Sequence, residues 1–454
     1  MKHTKNTILS IAVTAAMCAP MAATATNGYF AHGYGTKNKG LAGGGVALPQ
    51  DAMIAATNPA GMVFVGNRLD MGAAIFSPSP RSYEATGTPS GACMSASQCT
   101  FGIDPGEVES ENDYFLVPHF ARNWMLDANS SVGVTVYGNG GMNTEYKNGS
   151  ATYGVPMGTV PPGTSVTTAG TYGDGTAGVN LEQLFVAVTY ARKINDKSSW
   201  GVTPIMAYQR FEAKGLGLFG AFNFSTDAAN LSNNGKDTST GFGLKLGVQG
   251  EVGSGVTLAA SYQSKMSMSE FDKYAGLFAE EGGFDIPATA TLGIAWATSQ
   301  SSVLTADIQK IYYAGVDSIA NPISNLTMGC GGGDATQCLG GSNGAGFGWE
   351  DMTIFKLGYQ WDGGAGWTWR AGLSKGNQPI PKSEVMFNIL APAVMEKHVT
   401  FGFTKEVGTN NEFNFAAMYA PESSLKGPNP MDPAQEIELK MTQWELEASW
   451  AIKF

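Results

Sequence analysis

The chain has 454 residues, of which 60 are glycine, 11% are aromatic and only 14% are charged, and its net charge is −11. Soluble domains carry about 25% charged residues, so the composition excludes an ordinary soluble globular chain, and the acidic balance excludes nucleic acid as a partner. A mean hydropathy of −0.08 is too low for a bundle of membrane helices, and it suits a chain in which apolar and polar residues alternate.

At the N-terminus, Lys2 and Lys5 precede the largely apolar run from Ile8 to Ala23, and Ala23-Thr24-Ala25 is a small-x-small site. This pattern predicts a signal peptide over residues 1–25, cleaved near Ala25. Its removal takes away two lysines and no acids, moving the net charge from −11 to −13. Residues 26–66 show no alternation and are rich in Gly and Ala. Within them "GYGTKNKGLAGGG" (33–45) invites a phosphate-cradling reading. It lacks the Lys-Ser/Thr that follows the last glycine of a P-loop, and no strand–helix context surrounds it. Small residues also let a backbone pack closely against a wall, so this segment is expected to fold inside a barrel as a plug.

From residue 67 the chain turns to period two. Strands are expected near 67–78, 112–126, 131–145, 181–194, 199–213, 237–252, 255–268, 284–298, 302–314, 349–362, 366–376, 396–406, 411–420 and 439–454. The clearest is "TQWELEASWAIKF", where Trp444, Leu446, Trp450, Ile452 and Phe454 share one face and Gln443, Glu445, Glu447 and Lys453 the other. Strands of this length with an apolar outer face and a polar inner one describe a transmembrane barrel. Long and short connections alternate, as they do between the outer and periplasmic sides of bacterial barrels. The expected fold is all-β: a 14-stranded antiparallel barrel over 67–454, placed in the bacterial outer membrane.

Several features sit on this frame. Cys93/Cys99 and Cys330/Cys338 are close pairs in Gly/Ser-rich segments of an exported chain, which favours two local disulfides over metal ligation. "VYGNGGMNTEY" on the third strand carries Gly138, Gly140 and Gly141, residues that weaken a strand and mark a bend. Two outer connections are unusually apolar, with Leu216, Leu218, Phe219, Phe222 and Phe224 on one and Phe271, Tyr274, Leu277 and Phe278 on the other. Such clusters mark a binding surface or pack on each other as a lid. Arg210, Lys245, Lys265, Lys356 and Arg370 are read as facing the lumen. His32, His119 and His398 have no metal-ligand spacing, and no nucleophile–base set suggests an enzyme.

"NGYFAHGYGTKNKGLAGGGVALPQDAMIAATNPAG" (27–61) and "GNQPIPKSEVMFNILAP" (376–392), together with the fourteen strands, resemble the FadL/TodX-type outer-membrane transporters of long-chain fatty acids and other hydrophobic compounds. The resemblance covers essentially the whole mature chain. It implies a hatch at 26–66 that includes Asn27, Gly28, Phe30, Asn58, Pro59 and Ala60. It implies a hydrophobic capture groove in the third and fourth outer loops, and a lateral opening at the strand-three glycines. It also matches Arg210 to a carboxylate-binding arginine, with Glu350 standing where the family carries a lysine; Lys356 and Arg370, from the lumen-facing set, join Arg210 as candidate lumen ligands for a substrate. The expected function is uptake of hydrophobic molecules, foremost long-chain fatty acids. The alternatives are an aromatic-hydrocarbon transporter or a general porin for polar solutes. No cofactor or metal is expected. The expected partners are hydrophobic small molecules, outer-membrane lipid with lipopolysaccharide, and the barrel assembly machinery, the chain itself being a monomer.

Overall fold

The computed structural model describes residues 26–93, 99–154 and 164–454. The expected signal peptide lies outside the described residues. No helix among them is long and apolar enough to cross a membrane. The barrel strands are β1 (Arg68–Ser77), β2 (Phe115–Met125), β3 (Ser130–Asn143), β4 (Gly178–Asn195), β5 (Ser198–Lys214), β6 (Asp237–Gly253) and β7 (Val256–Gln263). They continue with β8 (Thr289–Ser299), β9 (Ser302–Ile311), β10 (Met352–Gly364), β11 (Trp367–Gly376), β12 (Lys397–Val407), β13 (Asn411–Pro428) and β14 (Glu436–Lys453).

Each strand pairs antiparallel with its neighbour, and β1 pairs with β14 from Arg68↔Lys453 to Ser77↔Trp444, which closes the barrel. Closure follows from the solvent. A sheet edge facing hydrocarbon would leave a row of unsatisfied N–H and C=O groups. One end of the barrel is formed by the tight turns 126–129, 196–197, 254–255, 300–301, 365–366 and 408–410, and the other by the long connections.

Side-chain sidedness follows the pleat. On β14, Leu439, Met441, Gln443, Glu445 and Glu447 are buried inward, while Trp444, Leu446, Trp450 and Phe454 face out. At the tight-turn end, Trp367, Trp369, Phe401 and Phe403 lie within ring-to-ring distances of 5.3–5.7 Å on the outer surface. This is the aromatic girdle expected at a membrane interface.

Several strand boundaries differ from expectation. β13 does not stop near 420 but runs to Pro428, past a bulge between Ala420 and Ser423, and β14 starts at Glu436. The added residues, among them Glu422, Ser424, Lys426, Glu436 and Glu438, stand beyond the apolar belt. Alternation persists there, with Ile437, Leu439 and Met441 buried between Glu436, Glu438 and Lys440, but charged residues replace the apolar outward face that marks a membrane strand. Arg81–Thr86 and Gly106–Glu109, both in the first long connection, extend this outer ribbon by pairing along Glu436–Met441 and with each other. The seventh strand is also short. Its expected outer end is a two-residue pairing, Ser267–Met268, separate from Val256–Gln263.

Residues 26–66 lie inside the cylinder. A short helix (Thr36–Lys39) and two 3-10 turns (Ala52–Ala56 and Pro59–Phe64) break them up, the turns capped by Asp51 and Asn58, whose side chains accept from Met53 N and Ala60 N. The segment approaches the wall where strand glycines leave room. A Cβ on Gly201 would come within 2.5 Å of the Pro59 carbonyl carbon, and one on Gly247 would collide with the Asn58 amide oxygen. Glycine in a strand interior weakens it; here the loss is offset by close packing of the inner segment. Gly247→Val should therefore leave a closed, heat-modifiable barrel whose residues 50–64 become protease-sensitive. Wild-type resistance to proteolysis would show that the segment does not need this gap.

Candidate functional site

The lysines of the 33–45 run answer to carboxylates of the barrel wall. Lys37 Nζ lies 2.6 Å from Glu412, and Lys39 Nζ lies 2.7 Å from both Glu445 and Glu447. Arg68 bridges Asp70 at 2.7 Å and Glu412 at 3.1 Å, while Thr36 donates to Glu447 at 2.8 Å. All of these groups are buried. Buried charge is tolerated only when paired and hydrogen-bonded, and the glycines let the lysines' backbone come near enough to pair. Asn58 Nδ2 donates to Val46 O at 2.9 Å, and Val46 N donates to Asp307 at 2.9 Å.

The expected lumen cations resolve the same way. Lys356 Nζ donates to the carbonyls of His32 and Gly43 at 3.0 and 3.2 Å. Arg370 binds Gln50 and Thr404 at 2.9 and 2.8 Å. Lys245 donates to Ala56 O. Each holds the inner segment, so their hydrogen bonds are committed to protein. Arg210 is not a lumen residue at all. On β5 the inward positions are Thr203, Ile205, Ala207, Gln209 and Phe211, and Arg210 shares the outward face with Trp200, Met206 and Tyr208. It pairs there with Glu182. Lys265 lies in a connection, half-exposed and bonded to Asp285 at 2.9 Å, and Glu350 is exposed beyond the start of β10.

The first residues of the inner segment behave differently. β3 pairs with β2 only as far as His119↔Tyr137, so β3 beyond Tyr137 has a free edge on that side. Its pairing with β4 shifts register between Gly138 and Gly140, and Gly140 has φ 154°. Residues 29–31 cover the free edge as a short added strand: Ala31 N donates to Asn139 O at 2.9 Å, and Gly141 N donates to Tyr29 O at 2.8 Å. A Cβ on Gly140 would collide with Tyr29 O, so only glycine admits the arm here. Tyr313 fixes the arm from the other side, donating to Asn27 O at 2.5 Å and accepting from Tyr29 N at 3.2 Å. Burial holds the Tyr313 phenol well above its ordinary pKa, which keeps that donor proton in place. Gly28, at φ +65°, lies against the Tyr313 ring.

A line of aromatic rings connects this arm to the outer loops. Leu218, Phe219, Phe222 and Phe224 line a groove of about 430 Å³ with Phe101, Tyr153 and Met431. Phe219 also borders a narrow apolar crevice of about 30 Å³ with Leu216, Leu277, Phe278, Phe211, Phe387 and Leu390. From there Phe278 meets Phe284 at 4.7 Å, Phe284 meets Tyr29 at 6.2 Å, and Tyr29 meets Trp349 at 6.1 Å. The disulfides Cys93–Cys99 and Cys330–Cys338 are formed, and Cys99 and Cys330 stand at the groove. Tyr274 lines neither cavity. Its ring abuts Phe211 at 4.9 Å, and its hydroxyl donates to Gly235 O and accepts from Ala213 N. The residues missed in the sequence are Tyr29, Phe284, Tyr313, Trp349 and Phe387, which lie in separate segments without periodicity and meet only in the folded chain.

The family model for outer membrane transport proteins (OMPP1/FadL/TodX) matches residues 13–427. The chain belongs to this family. It is an outer-membrane β-barrel channel for hydrophobic compounds, and the family is one of transport channels rather than enzymes. Among solved structures, the Pseudomonas putida toluene transporter TodX is similar at 16% identity and TM-score 0.62, covering 93% of this chain and 99% of its own. A Pseudomonas aeruginosa FadL homologue is similar at 14% identity and TM-score 0.62, with 94% and 100% covered. The Ralstonia pickettii toluene transporter TbuX is similar at 15% identity and TM-score 0.58, with 93% and 99% covered. No curated protein sequence matches.

The ion pairs at the centre of the inner segment give a direct test. Lys39→Met leaves Glu445 and Glu447 buried together without their shared ammonium, a change that costs about 3–5 kcal/mol when one partner of a buried pair is removed. The variant should unfold at lower temperature in detergent, and restoring the charge as Lys39→Arg should recover part of the loss. An unchanged melting temperature would mean that these pairs do not hold the segment.

Proposed function

We propose that this channel takes up small uncharged apolar molecules, monoaromatic hydrocarbons in preference to long-chain fatty acids, and releases them sideways through the wall beside β3. One observation carries the substrate class. The groove and the crevice behind it have no cation in their described linings, and the three candidate lumen cations are bound to the inner segment or lie outside the lumen. A fatty-acid carboxylate entering here would lose its water without gaining a partner. Glu384, a buried charge of these loops, is itself a carboxylate and accepts from Ile323 N at 2.8 Å. The similarity to channels described as transporters of toluene and of monoaromatic hydrocarbons supports the same direction.

The route follows from the same geometry. Molecules collect in the groove, pass Phe219 into the crevice, and reach Tyr29, behind which lies the free edge of β3. Residues 26–34 act as the moving part of the hatch. Lateral exit keeps an apolar solute out of a lumen lined by buried ion pairs. The polar porin reading is disfavoured because residues 26–66 occupy that lumen.

Substrate capture is tested best at the rim of the groove. Phe219 and Phe278 are themselves core residues of the loops, so Leu218→Ser with Phe222→Ser is the cleaner variant. Burying one such anchor is worth roughly 1.5–3 kcal/mol, so uptake of limiting toluene should fall about tenfold or more while oleate uptake stays at background in both proteins. Robust oleate uptake by the wild type would overturn the substrate class. For the route, Gly138→Val should favour a straight, filled strand and leave the arm's contact at Gly140 untouched. The purified variant should bind toluene normally, yet cells carrying it should fail to take it up. Normal uptake through an assembled Gly138→Val barrel would return the path to the lumen.

A further inference from the structure

The outer surface of the barrel across β8–β12 carries a feature that transport does not use. In the register of the sheet, Leu292, Ile308, Phe355, Lys375 and Lys397 stand directly opposite one another in one row across five strands. The row one step deeper runs Leu258, Ile294, Ala306, Leu357 and Leu373. Ala306 is the small residue in the middle of large neighbours, and around it the lipid-facing surface sinks into an open hollow of about 680 Å³ bordered by Leu292, Ile308, Phe355, Leu357, Leu373 and Lys375.

The lysines close the row at the end of the barrel that carries the long connections. Lys375 is the penultimate residue of β11 and Lys397 the first of β12. Both are exposed. Neither forms an ion pair among the described residues, although most surface lysines of this chain do, Lys310 on the neighbouring β9 with Asp351 at 3.1 Å among them. Like charges directly opposite on antiparallel strands destabilise the pair. In a chain of net charge −11, two cations placed together without a carboxylate wait for an anion from outside.

We propose that this face binds a phosphorylated, multiply acylated lipid of the outer leaflet, lipopolysaccharide, with a phosphate between Lys375 and Lys397 and an acyl chain in the hollow over Ala306. The apolar hollow and the cation pair are contiguous, and their order, charge at the strand ends and hydrocarbon below, matches a lipid standing in that leaflet. The proposal is independent of the substrate reading.

The test uses the purified full-length barrel in detergent, with lipid A, its dephosphorylated form and phosphatidylglycerol as probes, read by native mass spectrometry. Wild type should retain lipid A, with at least tenfold weaker retention of the other two. Lys375→Gln/Lys397→Gln should lose most of that retention, and so should Ala306→Phe, which fills the hollow without touching charge. Lys405→Gln, on the same face at the opposite end of β12, should retain lipid A like wild type. Because the lysines repel each other when no phosphate is present, Lys375→Gln should also raise the melting temperature in lipid-free detergent and not in the presence of lipid A. Equal retention of lipid A by the double lysine variant, equal loss in Lys405→Gln, or retention of phosphatidylglycerol as strong as that of lipid A would each overturn the assignment.

Discussion

A backbone that crosses hydrocarbon must find every hydrogen bond within itself, and the rest of this structure follows from that constraint. It forces the sheet to close, which β1 and β14 accomplish. A closed sheet of fourteen strands encloses more space than its own inward side chains fill, so residues 26–66 occupy the lumen. The same constraint makes the free edge of β3 beyond Tyr137 notable. There the ladder to β2 ends, and the backbone of residues 29–31 supplies the missing partners. The interruption in the wall and the first residues of the inner segment are thus one feature.

Much of this was legible in the sequence because the period-two pattern is imposed by lipid on one side and polar groups on the other. Where lipid ends, the apolar outward face ends too: β13 and β14 continue as a ribbon through Glu422, Ser424, Glu436 and Glu438 while Ile437 and Leu439 stay buried on its other face, so a reading that seeks apolar outward residues stops short of it. Arg210 was readable and misassigned. It falls at the same parity as Trp200, Met206 and Tyr208, so the alternation itself places it outside. The glycine-rich run was legible as a close-packing segment, but not its register against the wall. That register depends on gaps left by Gly201 and Gly247, which lie far away in sequence. The ring line from Phe219 to Tyr29 was beyond reach for the same reason, since it is assembled from three separate stretches of chain, around Phe219, Phe278–Phe284 and Tyr29.

The cations illustrate how residue type misleads without geometry. A lysine or arginine on an inward strand position invites a ligand reading, because an isolated buried charge is costly. The cost is met here by carbonyls and carboxylates of the chain itself. Lys356 and Arg370 hold His32, Gly43 and Gln50, while Lys37 and Lys39 reach outward to Glu412, Glu445 and Glu447. Among the described residues these cations are engaged within the protein, and the apolar surface leading inward from the groove runs along the rings.

This division of labour sets which part of the inner segment is free to move. Its centre is tied by buried ion pairs, and breaking one of these costs about 3–5 kcal/mol. The arm at 27–31 is held by four hydrogen bonds, two to β3 and two to Tyr313, each worth about 1 kcal/mol net, together with ring contacts among Tyr29, Tyr313 and Trp349. A ligand shifts a conformational equilibrium only by its differential affinity for the two states. In the proposed opening, an apolar molecule that replaces Tyr29 against Phe284 and Trp349 recovers the ring contacts that the arm gives up, and leaves its four hydrogen bonds as the cost of moving it. The same molecule has nothing to offer the ion pairs, because it carries no charge to substitute for Lys37 or Lys39. The proposed opening therefore falls to the arm, which covers a stretch of wall where the strand ladder is interrupted.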